Sequence, residues 1–290
     1  MQSSHSPVRI WVPPFARIYN FFVLWLVGTP IGNLKDLSER AREVLEKSEL
    51  ILCEDTRHST LLLKHFGIKK RVMSYHKFNE KNRLEEILEK LREGQEIALI
   101  SNAGMPCLAD PGEQLVRRCR EEGLLISTVP GPCAALLALV LSGFPTAPFQ
   151  FVGLLEKREG ALIKQLLSLL HYGGTSIAYE SPHRIQKTLK KIQSMAPEIP
   201  LFIARELTKL FEEGLVGTAT SLLEKESIKK PRGEFVLVFA PSPLSKKFET
   251  LSAKEHVALL ESEFGLSFRD ALKLAASLRK IPKKNVQSRA

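Results

Sequence analysis

Residues 24–57 constrain the fold more than any other stretch, because an apolar run, a glycine-bearing loop, an amphipathic segment and a second apolar run follow there without a gap. Residues 21–27 are continuously apolar and of strand length, and GTPIGN at 28–33 ends them with glycine and proline. Such a run reads as a buried strand with a sharp exit. Asp36 and Glu39 have the spacing of a capping box, and Leu37, Ala41, Val44 and Leu45 then share one helical face. Residues 49–53 form a second strand that runs directly into Glu54, Asp55, Thr56 and Arg57. In open α/β sheets ligands bind beyond the carboxyl ends of strands, so these two loops together propose a site. Each also has a plain structural reading, a tight turn for the first and a solvated edge for the second.

The same alternation continues. Helices are expected over 58–66, 79–93, 112–122 and 133–142, and strands over 72–75, 97–100 and 125–129. The strand at 97–100 exits into SNAGMP (101–106), whose small residues let a ligand approach the backbone closely. A new cycle opens near Phe149, with strands over 149–155, 175–179, 201–204 and 235–239 and helices over 161–170 and 182–195, the latter capped by Ser181 with Pro182 in its first turn. Strands alternating with helices argue for a largely parallel sheet covered on both faces. ESPHR (180–184) and RELTK (205–209) again follow strand ends, so two domains could face each other across a cleft; an N-cap with a surface ion pair is the simpler reading of each motif alone. The division expected is an extension over 1–20, an α/β domain over 21–145, a second over 146–240, and a linker with a basic helical appendage over 241–290. In that appendage Ser252 with Glu255 and Ser267 with Asp270 open two short helices, and Lys273, Arg279, Lys280, Lys283, Lys284 and Arg289 occur with no acidic residue after position 270.

The charge balance, 42 Lys and Arg against 32 Asp and Glu, gives +10 and favours polyanionic partners, nucleic acid first and anionic membrane second. Cys53, Cys107, Cys119 and Cys133 lack the spacing of a disulfide framework or a zinc site and read as reduced residues of a cytoplasmic protein. Residues 124–155 carry no charge, but two Pro/Gly interruptions leave a ten-residue helix, too short to span a bilayer. The apolar run at 21–27 lacks a small-residue cleavage site and reads as a strand rather than a secretory signal.

GTPIGN, CEDTR, SNAGMP, PGPCAA, ESPHR and RELTK occur in one order, and this series resembles the RsmI family of ribosomal RNA methyltransferases, within the tetrapyrrole-methylase superfamily. The resemblance runs closely from residue 22 to about 240. It implies two α/β domains of the class III methyltransferase type, with S-adenosylmethionine as methyl donor, no metal, and the 2′-oxygen of a cytidine ribose in 16S rRNA, near the decoding centre of the small ribosomal subunit, as acceptor. A homodimer is also implied. In related enzymes an aspartate just beyond the second strand is the proton acceptor, and Asp55 occupies that place; Glu54 or Glu206 could serve instead. Arg57, His58, Arg184, Arg205 and Lys209 would grip phosphates. The cofactor would meet Pro30, Asn102, Ala103, Gly104, Met105, Cys133 and Ala134. Three positions depart from the family pattern: Asn102 stands for an aspartate, Met105 for a threonine and Cys133 for a serine. Recognition through backbone groups would tolerate all three. A tetrapyrrole methyltransferase and a non-catalytic ribosome- or RNA-binding relative are the competing readings.

Overall fold

The computed structural model describes residues 23–242, 248 and 250–288. The expected extension, Phe21 and Phe22, linker residues 243–247 and Arg289 lie outside these. The chain divides into two compact units, one holding Thr29 and the strand before it together with Lys35–Gly131, the other Pro30–Leu34 together with the chain from Pro132 onward.

The first unit runs β1 (Val23–Val27), α1 (Glu39–Lys47), β2 (Leu50–Cys53), α2 (Thr56–His65), β3 (Arg71–Ser74), α3 (Glu80–Arg92), β4 (Ile97–Ile100), α4 (Glu113–Glu121) and β5 (Leu125–Val129). Its five strands are ordered β3-β2-β4-β1-β5, and every pairing is parallel. Alternation along the strands builds two apolar layers. Leu24, Leu50, Leu52, Ile97 and Leu99 pack with Ile87, Leu88, Leu91, Leu115 and Cys119 of α3 and α4, while Val27, Ile51, Cys53, Ala98 and Ile100 pack with Ala41, Val44, Leu45 and Leu63 of α1 and α2. Burial on both faces explains the unbroken apolar runs. All strand ends therefore point their loops the same way. One expected detail is corrected: Asp36 lies in a 3-10 turn, and Ser38 caps α1 by accepting from the Ala41 amide at 3.1 Å.

The second unit contains α5 (Ala134–Ser142), β6 (Phe149–Leu154), α6 (Glu159–His171), β7 (Thr175–Glu180), α7 (Ile185–Met195), β8 (Leu201–Arg205), β9 (Glu213–Gly217), α8 (Ala219–Leu223), α9 (Glu226–Lys229) and β10 (Phe235–Phe239). Its strands are ordered β6-β7-β10-β8-β9, and only β6 and β7 are parallel. The largely parallel sheet is thus confined to the first unit. The short 206–212 turn joins β8 to β9, a connection that only antiparallel neighbours allow. Helix α5 belongs here rather than with the residues before it, because Ala135, Ala138 and Leu139 pack on Phe202, Ala204, Val236 and Val238 of this sheet. Helix α7 starts at Ile185; the Ser181 carbonyl accepts from Arg184 and Ile185 in a preceding turn, so Ser181 is not its side-chain cap.

Helices α10 (Ala253–Ser262), α11 (Phe268–Leu278) and α12 (Lys283–Ser288) follow, with Ser252 and Glu255 forming the expected capping box. Val257, Leu260, Leu274, Ala275 and Val286 pack on Leu167 of α6, so these helices form a layer of the second unit. Arg279 is turned inward: Nε donates to His256 Nδ1 at 3.0 Å, and its terminal nitrogen to the carbonyls of Phe248 and Leu251. Among the described residues no helix is long and apolar enough to cross a membrane.

Candidate active site

The loops after the parallel strands are locked to one another. Thr29, after β1, and Gly104, after β4, exchange backbone hydrogen bonds of 2.9 and 3.0 Å, and Thr29 Oγ1 donates to the Ser101 carbonyl at 3.2 Å. A Cβ at Gly28 would lie 2.6 Å from Gly131 Cα and 2.7 Å from Met105 Sδ, so only glycine lets the β1 and β5 exits cross. Met105, a departure from the family pattern, serves as packing against that crossing.

Beside this junction β2 ends in Glu54 and Asp55. The Asp55 carboxylate does two things at once: Oδ1 caps α2 by accepting from the Arg57 amide at 2.9 Å, and both oxygens pair with the Arg57 guanidinium at 3.1 and 2.8 Å. The Arg57 side-chain and backbone hydrogen bonds hold the Asp55 carboxyl well below the usual range, at about 2. Asn102 ties the β4 loop to the same group, its Oδ1 accepting from the Asp55 amide at 3.3 Å and its Nδ2 donating to Glu54 Oε2 at 3.1 Å. An aspartate could accept the first bond but would repel Glu54 instead of making the second. The departure at 102 therefore fits a chain that places a carboxylate opposite it.

Glu54, Asp55, Thr56, Arg57 and Asn102 line an open cavity of about 440 Å³, completed by Ser74 at the end of β3 and by His76 and Phe78 beyond it. His58 lies one residue further along α2, on its exposed surface. Ser74, His76 and Phe78 escaped the motif reading; the available signal was their place at and beyond the end of a third parallel strand. Nearby, burial and the charge of Glu54 push the Asp110 carboxyl up to about 6 against the opposing pull of Lys77. Burial also raises the Cys53 thiol, and lifts those of Cys107 and Cys119 to about 11, so these cysteines stay protonated at neutral pH; all four cysteines are free.

In the second unit the corresponding charges are engaged within the fold. Glu206 and Thr208 adopt positive φ (51° and 66°), and Glu206 Oε1 accepts from Lys209 Nζ at 2.9 Å and the Glu234 amide at 3.0 Å. Burial raises the Glu206 carboxyl, but these bonds and the Lys209 and Arg205 charges outweigh it and lower the pKa. Lys209 also pairs with Glu234, and Arg205 donates to the Arg232 carbonyl and faces Glu213 at 3.5 Å. The Pro30–Leu34 segment docks here: the Asn33 amide donates to Thr208 Oγ1 at 3.1 Å, and a Cβ on Gly32 would collide with the Lys209 side chain. Pro30 is buried, and Ile31 packs with Cys133, Ala134 and Ala135. Arg184 is fully occupied, donating to the Leu155 and Glu156 carbonyls at 3.0 Å each and pairing at 2.6 Å with Glu180, which is 3% exposed and also accepts from Thr188. Arg184, expected to grip phosphate, is held here by partners within the fold.

The residues present in the 101–105 loop fit the cofactor that the motif series implies. Ala103 is exposed, and among the described residues the backbone amides of Ala103 and Met105 find no acceptor, leaving two donors beyond a central parallel strand. Cys133 makes no side-chain cap at α5, consistent with recognition by backbone rather than by a hydroxyl at that position.

The family model of tetrapyrrole (corrin/porphyrin) methylases matches residues 23–223. The chain is 40% identical to ribosomal RNA small subunit methyltransferase I of Haemophilus influenzae over 88% of its own length and 92% of the relative's. Against the protein of the same name from Bacillus subtilis it is 37% identical over 91% and 92% of the two chains. The uroporphyrin-III-C-methyltransferase structure from Thermus thermophilus superposes with a TM-score of 0.53 at 19% identity, covering 78% of this chain and 97% of the other, a likeness of fold. The chain belongs to the tetrapyrrole methylase family and, within it, to the ribosomal RNA small subunit methyltransferase I group.

Proposed function

We propose that this protein transfers the methyl group of S-adenosylmethionine to the ribose 2′-oxygen of a cytidine in 16S rRNA of the small ribosomal subunit, near the decoding centre. The observation that carries this reading is similarity to ribosomal RNA small subunit methyltransferase I of several bacteria across about nine tenths of both chains. The cavity at the β2 and β4 exits supplies the chemistry such a transfer needs.

S-adenosylmethionine, when bound, supplies an electrophilic methyl on sulfonium, so the protein's task is positioning and exclusion of water. Ala103 and Met105 offer backbone amides to the cofactor, with Pro30, Asn102, Gly104, Cys133 and Ala134 as further candidate contacts. Asp55 accepts the hydrogen bond of the 2′-hydroxyl and orients it, and Glu54, held by Asn102, is the second acceptor. While Arg57 grips Asp55 the carboxylate is a weak base. The Arg57 side chain is 89% exposed, so an RNA phosphate can draw it away and return basicity to Asp55 as substrate arrives. His58 stands beside it as a further phosphate contact. Glu206, Arg205 and Lys209 shape the loop that holds Pro30, which makes them positioning residues in this reading.

The enzyme works in the cytoplasm as a homodimer. Supporting the dimer, α5 exposes Leu136, Leu137, Val140 and Leu141, with Val140 71% exposed, an apolar face too large for water to favour. Incubating the protein with S-adenosylmethionine and small subunits lacking the modification, then mapping methyl groups by mass spectrometry, is expected to give one new ribose methyl on a cytidine. No methyl, or a methyl on a base, overturns the proposal.

A further inference from the structure

The wall of the first unit's cavity that the motifs did not announce is built by residues 74–80, from the last residue of the edge strand β3 into the start of α3. Asn79 fixes this turn from both sides: Oδ1 accepts from the His76 amide at 2.8 Å, and Nδ2 donates to the Ser74 carbonyl at 3.1 Å and to Ser74 Oγ at 3.3 Å. The His76 carbonyl accepts from the amides of Asn79 and Glu80 at 2.9 Å each, which starts α3. Phe78 lies at the apex of that clamped turn, 94% exposed, and the backbone bonds on either side keep it from folding back into the core. Its described ring contact is with His76, edge to face at 6.0 Å and 65°. His76 Nδ1 is shielded from solvent and has no hydrogen-bond partner among the described residues.

A scattered exposed phenylalanine needs no explanation. This one lines a polar cavity with an imidazole, an amide side chain, two carboxylates and an arginine. A flat apolar ring beside directional donors and acceptors is the chemistry that recognises an unstacked nucleobase, whose face stacks while its edge forms hydrogen bonds. A peptide would not require the ring, and phosphate, which Arg57 can meet, would leave the ring without a partner. The position beyond an edge strand leaves room for a strand of RNA to approach from the side.

We propose that Phe78, backed by His76, is a stacking platform for an unpaired base of the RNA substrate, so that this cavity takes single-stranded rather than duplex RNA. The inference deepens the methyltransferase reading and rests on it for the identity of the ligand as RNA. It adds a specificity-determining aromatic residue to a site otherwise composed of carboxylates, an amide and an arginine.

The test uses the full chain and reads binding, not methyl transfer. Phe78→Trp places a fluorophore at the platform. Titration with oligo(C) RNA is expected to quench the added emission, while an abasic ribose-phosphate strand of equal length and a duplex RNA leave it unchanged. Phe78→Ala is expected to weaken oligo(C) binding by roughly five- to a hundredfold, the range of one base–aromatic stack, with Phe78→Tyr restoring it and S-adenosylmethionine affinity unchanged in all variants. Equal quenching by the abasic strand, no binding of oligo(C) at millimolar concentration, or unchanged binding by Phe78→Ala overturns the platform. If stacking holds but no methyl reaches small subunits, the functional reading fails and the platform stands; if methyl transfer proceeds with no dependence on Phe78, the function stands and the platform fails.

Discussion

The two units both place charged residues just after strands, yet they use them differently. In the first unit the sheet is wholly parallel, its loops share one end, and Arg57 and Asp55 remain at the mouth of a cavity. In the second the sheet is mostly antiparallel, and Arg184, Glu180, Glu206 and Lys209 are tied to backbone and to each other. A charge after a strand therefore signals function only where its partner stays open to solvent, as the Arg57 side chain does at 89% exposure. Where a carboxylate such as Glu180 is buried, its partner is a structural necessity.

The sharpest break of this comparison is Arg184→Ala. It leaves Glu180 buried without its cation and is expected to cost about 3 to 5 kcal/mol, seen as a large fall in melting temperature. Little change in stability would return Arg184 to the functional residues.

Next comes a pH effect in the second unit. His256 is fully buried, stacked on Phe248 and His171 at 4.8 and 5.8 Å, and burial with the charges of Arg279 and His171 lowers its pKa to about 4. The unfolded chain takes up a proton near 6.5 and the folded chain only near 4, so the stability from this site is present above 6.5 and lost as pH falls from 6.5 to 4. The loss is about 3 kcal/mol. Urea titrations across that window should show it for the wild type and not for His256→Phe.

Asn102→Asp is expected to remove the bond to Glu54 and set like charges together, costing about 1 kcal/mol and lowering turnover by loosening Glu54 and Asp55. Arg57→Ala should leave the melting temperature nearly unchanged, since its ion pair is exposed, while flattening the salt dependence of RNA binding by roughly 0.7 to 0.9 in slope. The opposite pattern, lost stability with unchanged RNA binding, would erase the distinction between the units.

The first sheet was legible because strands buried on both faces read as uninterrupted apolar runs, as at Leu50–Cys53 and Ile97–Ile100. Strand β9 was missed because Glu213, Gly214 and Gly217 deny it an apolar run, the mark of an edge strand exposed on one side. The antiparallel order of the second sheet depends on which strands meet, and spacing does not carry that. The cap of α1 was misplaced by two residues because Asp36 and Ser38 are both good caps, and backbone geometry chose between them. Arg279 looked like part of a solvent-facing basic tail because sequence records a charge and not its direction. Of the candidate site, the β2 loop was found from its charged residues and the β4 loop from its small ones, whereas His76 and Phe78 carry no motif and emerged only when β3 was set beside β2.

The most direct test is Asp55→Asn, measured by single-turnover methyl transfer to unmodified small subunits alongside melting temperature and S-adenosylmethionine affinity. Asparagine caps a helix as well as aspartate, so the melting temperature should hold, and cofactor affinity should be unchanged. Turnover should fall at least about a hundredfold, because the acceptor for the ribose hydroxyl proton is gone. Wild-type turnover in this variant would contradict the account and move the chemistry away from the β2 exit.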